Sequence, residues 1–170
     1  MRIRLSLFAA ISLAACGNGD PESTQSSVSD GSKADYILVD KSDREMLLYR
    51  KGKIISRYKG VQFGDAPIGH KQFEGDERTP EGDYTISGRN PASRYHLSLR
   101  ISYPNAADRA FAKAKGKSPG GDIFIHGQPD WSPLKRLKHD WTDGCIAVTN
   151  AEIEQIWKLV PDGAKITIRP

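Results

Sequence analysis

The chain has 170 residues, a net charge of +4, 38% hydrophobic residues and two cysteines, with an isoelectric point of about 9.1. Its 25 Lys and Arg are interleaved with 21 Asp and Glu, and the one local cluster, KRLK at 135–138, is short and free of aromatic neighbours. That pattern excludes a nucleic-acid-tracking surface, and two cysteines, one of them in the N-terminal segment read below as a signal, make no disulfide framework.

Taken in chain order, residues 1–16 read MRIRLSLFAAISLAAC. Two arginines, a short apolar run and small residues before the cysteine make a secretory signal, too short to span a bilayer. Leu13-Ala14-Ala15-Cys16 resembles the lipobox of bacterial lipoproteins, which implies lipidation of Cys16 and a periplasmic, membrane-anchored protein. Gly17 stands where an aspartate would mark inner-membrane retention, so the outer membrane is the expected address. Residues 17–34, GNGDPESTQSSVSDGSKA, hold almost no aliphatic side chain and are expected to form a flexible tether. One domain, 35–170, remains, long enough for a real core.

YILVD (36–40) and EMLLYR (45–50) around a polar KSDR turn predict a β-hairpin, and KIISRY (53–58) a third strand. Residues 60–88 are punctuated by Gly and Pro, with TPEG (79–82) as a tight turn launching a strand at 83–87. YHLSLRISY (95–103) alternates Leu97, Leu99, Ile101 and Tyr103 with polar residues, turning His96 outward. A surface helix is expected over 105–115, a strand over 122–126, then a polar loop over 127–141 flanked by Trp131 and Trp141. Thr149 and Glu152 form a capping box before Ile153, Ile156, Trp157 and Val160 at helical spacing, and KITIR (165–169) is the last strand. The sum is mostly β with two or three short helices, a β-sandwich or partly open barrel.

Cys145 lies in WTDGCIAV (141–148). A thiol with a free pKa near 8.5 needs a base to act as a nucleophile. His126, at a strand end and followed by Gly127, is the candidate. Two other readings stay open on residue type alone: a buried cysteine, and a zinc site from His126, His139, Cys145 and Asp140, whose spacing matches no compact ligand pair.

IHG (125–127) followed by TDGCI (142–146), with the upstream GDERTPEGDY (75–84), resembles the L,D-transpeptidase catalytic domain over nearly all of 36–170. The resemblance implies that fold and a cofactor-free, metal-free thioester chemistry on peptidoglycan stem peptides. In it the carbonyl of the L-centre of diaminopimelate is attacked, D-alanine leaves, and an amine accepts the acyl group. It assigns Cys145 as nucleophile, His126 as general base, the Gly127 carbonyl as orienter of the imidazole, and the Gly144 and Cys145 N–H groups as the oxyanion site. Thr142, Asp143, Arg94, Tyr95 and His96 are the candidate substrate contacts.

Two positions depart from the family pattern. Asp143 stands where histidine is common, and Ala147 where arginine often follows Gly-Cys-Ile. A carboxylate so near the thiol opposes thiolate formation unless it is paired, and Lys135, Arg136, Lys138 or His139 are the candidate partners. GCIAVTN (144–150) looks like the branch that includes the amidase releasing peptidoglycan-linked lipoprotein. Transferase, amidase and a non-catalytic peptidoglycan-binding module are therefore the three functional expectations.

Overall fold

The computed structural model describes residues 33–170; the signal, Cys16 and residues 17–32 lie outside the described residues. Ala34, placed in the tether by composition, is already buried, and its N–H donates to the Leu159 carbonyl at 2.8 Å.

The hairpin forms as expected from β1 (Tyr36–Asp40) and β2 (Glu45–Arg50), with β3 (Lys53–Lys59) beside it. Next come β4 (Gly82–Ser93), β5 (His96–Ile101), α1 (Ala106–Ala114), β6 (Phe124–His126), β7 (Ile146–Ala147), α2 (Asn150–Leu159) and β8 (Lys165–Arg169). The eight strands form one mixed sheet in the order β3-β2-β1-β8-β4-β5-β6-β7. Beyond β3 the chain runs on to Gln62, whose N–H and carbonyl pair with Ala147 of β7 at 3.0 and 2.8 Å. This bridge ties the two ends of the sheet together, giving the partly open barrel.

β4 explains how one strand serves two neighbours. Its first residues pair with β8 (Tyr84↔Ile166) and its later ones with β5 (Arg89↔Leu99), with a register shift between Ile86 and Gly88. A bulge beside a glycine bends the strand there. The sequence predicts this strand to end at Ser87; it continues to Ser93, its irregular half sitting at a second register shift between Asn90 and Ser93. β7 was not predicted, as two residues carry no periodicity.

Ile37, Val39, Met46, Leu48, Phe63, Leu99, Ile101, Ile125 and Ile146 fill the core, and α2 closes it with Ile153 and Ile156. Burying each of these side chains contributes about 2 kcal/mol. The Thr149/Glu152 capping box forms, and Asn105/Asp108 makes a second one on α1. Trp157 is half-buried under the Arg89 guanidinium, 4.8 Å from the ring centre.

Val61 and Phe63 anchor the start of the 60–81 stretch in the core, and polar contacts order the rest of it. Lys41 Nζ reaches Glu81 at 2.6 Å and the Gly69 carbonyl at 2.8 Å. His70 Nδ1 accepts the Glu81 N–H at 2.9 Å, so Nε2 carries the proton and donates to Asp108 Oδ1 at 3.1 Å. Asp108 also accepts the Tyr84 hydroxyl at 3.1 Å, joining the loop to α1 and β4.

A Cβ on Gly64 would stand 2.0 Å from the Glu77 carbonyl oxygen, whereas one on Gly88 meets nothing within 4 Å. Gly64→Ala is therefore expected to lower stability by about 3 kcal/mol or more through forced backbone displacement. Gly88→Ala should stay within about 1 kcal/mol of the parent. Equal midpoint shifts of the two variants in urea would contradict this packing.

Candidate active site

Three segments meet main chain to main chain around Cys145. Gly64 lies against the Glu77 carbonyl and 3.1 Å, Cβ position to Cα, from Gly144; a Cβ on Gly144 would stand 2.5 Å from the Arg78 carbonyl. Gly144 also has φ +125, outside the reach of other residues without strain. The 142–145 turn is locked from within: Thr142 Oγ1 donates to the Cys145 carbonyl at 2.7 Å and accepts the Gly144 N–H at 3.2 Å.

That lock bears on two of the expected site groups. Thr142 borders the cleft but is buried, and its hydroxyl donates to and accepts from the main chain of its own turn. The Gly144 N–H is likewise taken, which leaves the Cys145 N–H as the available donor of the two.

A cleft of about 590 Å³ opens over the thiol, bordered by Arg94, Tyr95, His126, Trp141, Asp143 and Cys145. His126 is buried at the end of β6, held by pairing with Ser98 on one side and Ala147 on the other. Its Nδ1 lies 2.7 Å from the Gly127 carbonyl. A carbonyl only accepts, so Nδ1 carries the proton and Nε2 holds the free lone pair. Burial pulls its pKa down from 6.5 to about 4, the Gly127 hydrogen bond opposing only in part. The imidazole is therefore neutral at pH 7. Tyr95 stacks on it at 4.5 Å between ring centres, and Trp141 meets it edge-on at 5.5 Å.

Burial pushes the half-buried Cys145 thiol up from 9 to about 11; the Phe124 N–H and Lys71 act downward, and the Asp143 and Asp122 carboxylates upward. Sγ is 3.5 Å from the Asp122 carbonyl. A neutral thiol sharing a cleft with a neutral base is suited to attack with concerted proton transfer, not to a preformed thiolate.

Asp143 is exposed on the cleft rim, and none of its four candidate partners pairs with it among the described residues. Arg136 instead binds Glu152 at 2.6 Å and the Gly60 carbonyl. Solvent, rather than a cation, carries that charge. Arg94 is exposed in the cleft lining. His96 lies outside the cleft: on φ +70 its ring turns to Glu154 of α2, 2.8 Å away.

The proposed zinc ligands do not converge. Asp140 is held by both guanidinium nitrogens of Arg44 at 2.7 Å and by the Phe63 N–H at 2.9 Å, which keep its carboxyl below the usual range despite burial. Among the described residues no three His, Cys, Asp or Glu side chains gather as a metal site.

Residue type alone did not reveal two buried polar groups beside the site. Lys71 binds Asp76 at 3.0 Å, and Asp76 accepts the N–H groups of Gln72, Phe73 and Arg78, shaping the turn that packs on Gly144. Gln62 and Gln128 join at 3.2 Å; Gln62 donates to the Leu137 and His139 carbonyls, and Gln128 accepts the Leu137 N–H. They moor the 127–141 loop, and the only hint in the sequence was their position beside predicted strands.

The YkuD family model, described as the L,D-transpeptidase catalytic domain, matches residues 34–168. YafK of Escherichia coli (strain K12), a provisionally assigned L,D-transpeptidase, is 32% identical over 131 residues, covering 74% of this chain and 46% of YafK. The crystal structure of the helical cell shape determining protein Pgp2 from Campylobacter jejuni matches with TM-score 0.63 and 30% identity, over 80% of this chain and 47% of Pgp2. A cysteine-to-serine variant of the Enterococcus faecium L,D-transpeptidase shares the fold, with TM-score 0.53 and 16% identity over 81% of this chain and 50% of that one. The chain thus spans about half the length of the relatives it matches.

Alkylation of Cys145 by iodoacetamide should rise with pH through a midpoint near 11, and Asp143→Asn should lower that midpoint by removing a repulsive charge. Alkylation that stays fast below pH 7 would mean a preformed thiolate and contradict the neutral pair. His126 gives a second signature. Its folded pKa of about 4 lies below the ordinary 6.5, so the unfolded chain binds the extra proton first as pH falls. Its contribution is whole above pH 6.5 and lost down to pH 4, about 3 kcal/mol in all. Urea titrations of the parent and His126→Gln should show the difference in acid sensitivity; parallel curves would refute it.

Proposed function

Because the chain belongs to the L,D-transpeptidase catalytic-domain family, we propose that it is an exported cysteine acyltransferase of peptidoglycan, lipid-anchored at Cys16 in the periplasm with the outer membrane as its address. One observation carries the catalytic part: Cys145 shares a cleft with a buried, neutral imidazole whose Nδ1 proton is fixed on the Gly127 carbonyl.

In this reading His126 Nε2 takes the Sγ proton as sulfur attacks the carbonyl of the L-centre of diaminopimelate in a stem peptide. The Cys145 N–H stabilises the developing oxyanion, a contribution of about 3 kcal/mol per donor in comparable sites. The C–N bond to the terminal D-alanine breaks, its nitrogen taking the proton from the imidazolium, and a thioester remains. An acceptor amine then attacks, returns a proton to His126 and regenerates the thiol. Arg94 and Asp143 face the substrate from the cleft rim.

A second reading replaces the amine with water, giving an amidase that frees peptidoglycan-linked lipoprotein. The GCIAVTN run favours it: Ala147 is wholly buried in β7, paired with Gln62, where many relatives of the resemblance carry arginine.

Mixing the purified protein with a tetrapeptide stem is expected to add the acyl mass to Cys145 and release D-alanine, and Cys145→Ala should abolish both. Cells carrying Cys145→Ala with unchanged cross-link, tetrapeptide and lipoprotein-link profiles would support a binding module instead. On sacculi bearing bound lipoprotein, free lipoprotein without new diaminopimelate cross-links would establish the amidase over the transferase.

A further inference from the structure

We propose that Tyr95 is a positioning residue for the base: its ring and its main chain together hold the His126 imidazole in one orientation, leaving Nε2 free for the proton of the thiol. The inference rests on the catalytic reading above and deepens it.

Tyr95 acts on His126 twice. Its ring lies over the imidazole with 4.5 Å between centres and 27° between planes. Its carbonyl accepts the Gly127 N–H at 3.0 Å, and the Gly127 carbonyl in turn holds His126 Nδ1 at 2.7 Å. The fit is tight, since a Cβ on Gly127 would stand 2.8 Å from the Tyr95 carbonyl and 2.4 Å from Asn150 Oδ1. Trp141 closes the other approach, 5.5 Å from the imidazole at 66° and 5.6 Å from Tyr95. Among the described residues its buried indole Nε1 has no hydrogen-bond partner.

The chemistry gives the clamp its use. When Nε2 takes the Sγ proton the ring becomes a cation for one step, then passes the proton to the leaving amine. Aromatic faces stabilise a cation at that distance, and a ring that cannot turn keeps the same nitrogen for both transfers. The charged groups around it are otherwise engaged or at the rim. Asp122 pairs with Arg100 at 2.7 Å, Glu154 of α2 with His96 at 2.8 Å, and Lys71 with Asp76 at 3.0 Å. Arg94 and Asp143 are exposed, and Cys145 is the proton donor itself. Among the described residues the Tyr95 hydroxyl has no hydrogen-bond partner, so the ring rather than the hydroxyl carries the role.

The test follows thioester formation on a tetrapeptide stem by intact mass, together with the His126 ring titration by NMR, in the parent, Tyr95→Leu and Tyr95→Phe. Tyr95→Leu is expected to lower the maximal rate of thioester formation about tenfold, the equivalent of one good cation–π contact, with a smaller change in half-saturating peptide. Its His126 midpoint should rise from about 4 toward 6.5 as water enters, because lost burial, the largest cause of the depressed value, outweighs the lost contact between the aromatic face and the cation. Tyr95→Phe should recover most of the rate and the parent midpoint. Because Tyr95 is half-buried, Tyr95→Ser serves as the second ring-deleted variant should leucine prevent folding, with the same shifts expected. The clamp is overturned if Tyr95→Phe loses as much as Tyr95→Leu, if only half-saturation moves, or if the His126 midpoint stays put without the ring. A parent that forms no thioester refutes the catalytic reading, and the His126 titration then decides the clamp alone.

Discussion

Everything at this site depends on three stretches of main chain approaching closer than any side chain permits. The 75–80 turn sets its Glu77 and Arg78 carbonyls against Gly64 and Gly144, at separations that a Cβ on either glycine would violate. Two glycines thus fix where the strand ends and the turns can lie, and the thiol inherits its place from them. Around that contact the polar groups are matched internally. Asp76 collects the amides of its own turn, Thr142 closes the turn before Cys145, and Lys71 sits buried between. The sheet contributes the other half by delivering His126 on β6 beside β7.

The electrostatic character that results is neutral at its centre and charged at its edge. Burial disfavours both imidazolium and thiolate, so neither partner ionises ahead of the reaction. In the proposed acyl transfer, charge would develop only in the transition state, where fixed dipoles count most. The departures from the common pattern fit this division. Asp143 keeps its carboxylate in water on the rim, and Ala147 keeps a guanidinium out of the interior.

Much of this was legible in the chain before any coordinates. The hairpin, β8 and the capping box of α2 were readable because alternation and cap chemistry are local. His126, Gly127 and Cys145 were readable because the His-Gly and Gly-Cys pairs resemble the family's signature, and the three share one cleft or its hydrogen bonds. What escaped reading depends on contacts between distant segments. β7 exists only through its neighbours Ile125 and Gln62, and Ser98 is buried because it faces His126 across β5 and β6. The partner of Arg136 escaped for the same reason: it was one of four candidates for Asp143, and the fold pairs it with Glu152. His96 alternates outward as expected, yet outward there means toward α2 and not toward the cleft.

The mooring of the 127–141 loop has a dynamic consequence. The loop exposes Trp131 at 76% and Leu134 at 93%, and its hold on the barrel runs largely through the amides of Gln62 and Gln128 and the Arg44–Asp140 and Arg136–Glu152 pairs. Such a segment opens by exchanging a few polar contacts for water, without exposing core isoleucines, so its free energy of opening lies well below that of global unfolding. Amide hydrogens in the loop will therefore exchange with solvent long before those of β1, β8 or α2. The barrel and the wall beside its cleft are two cooperative units on one chain.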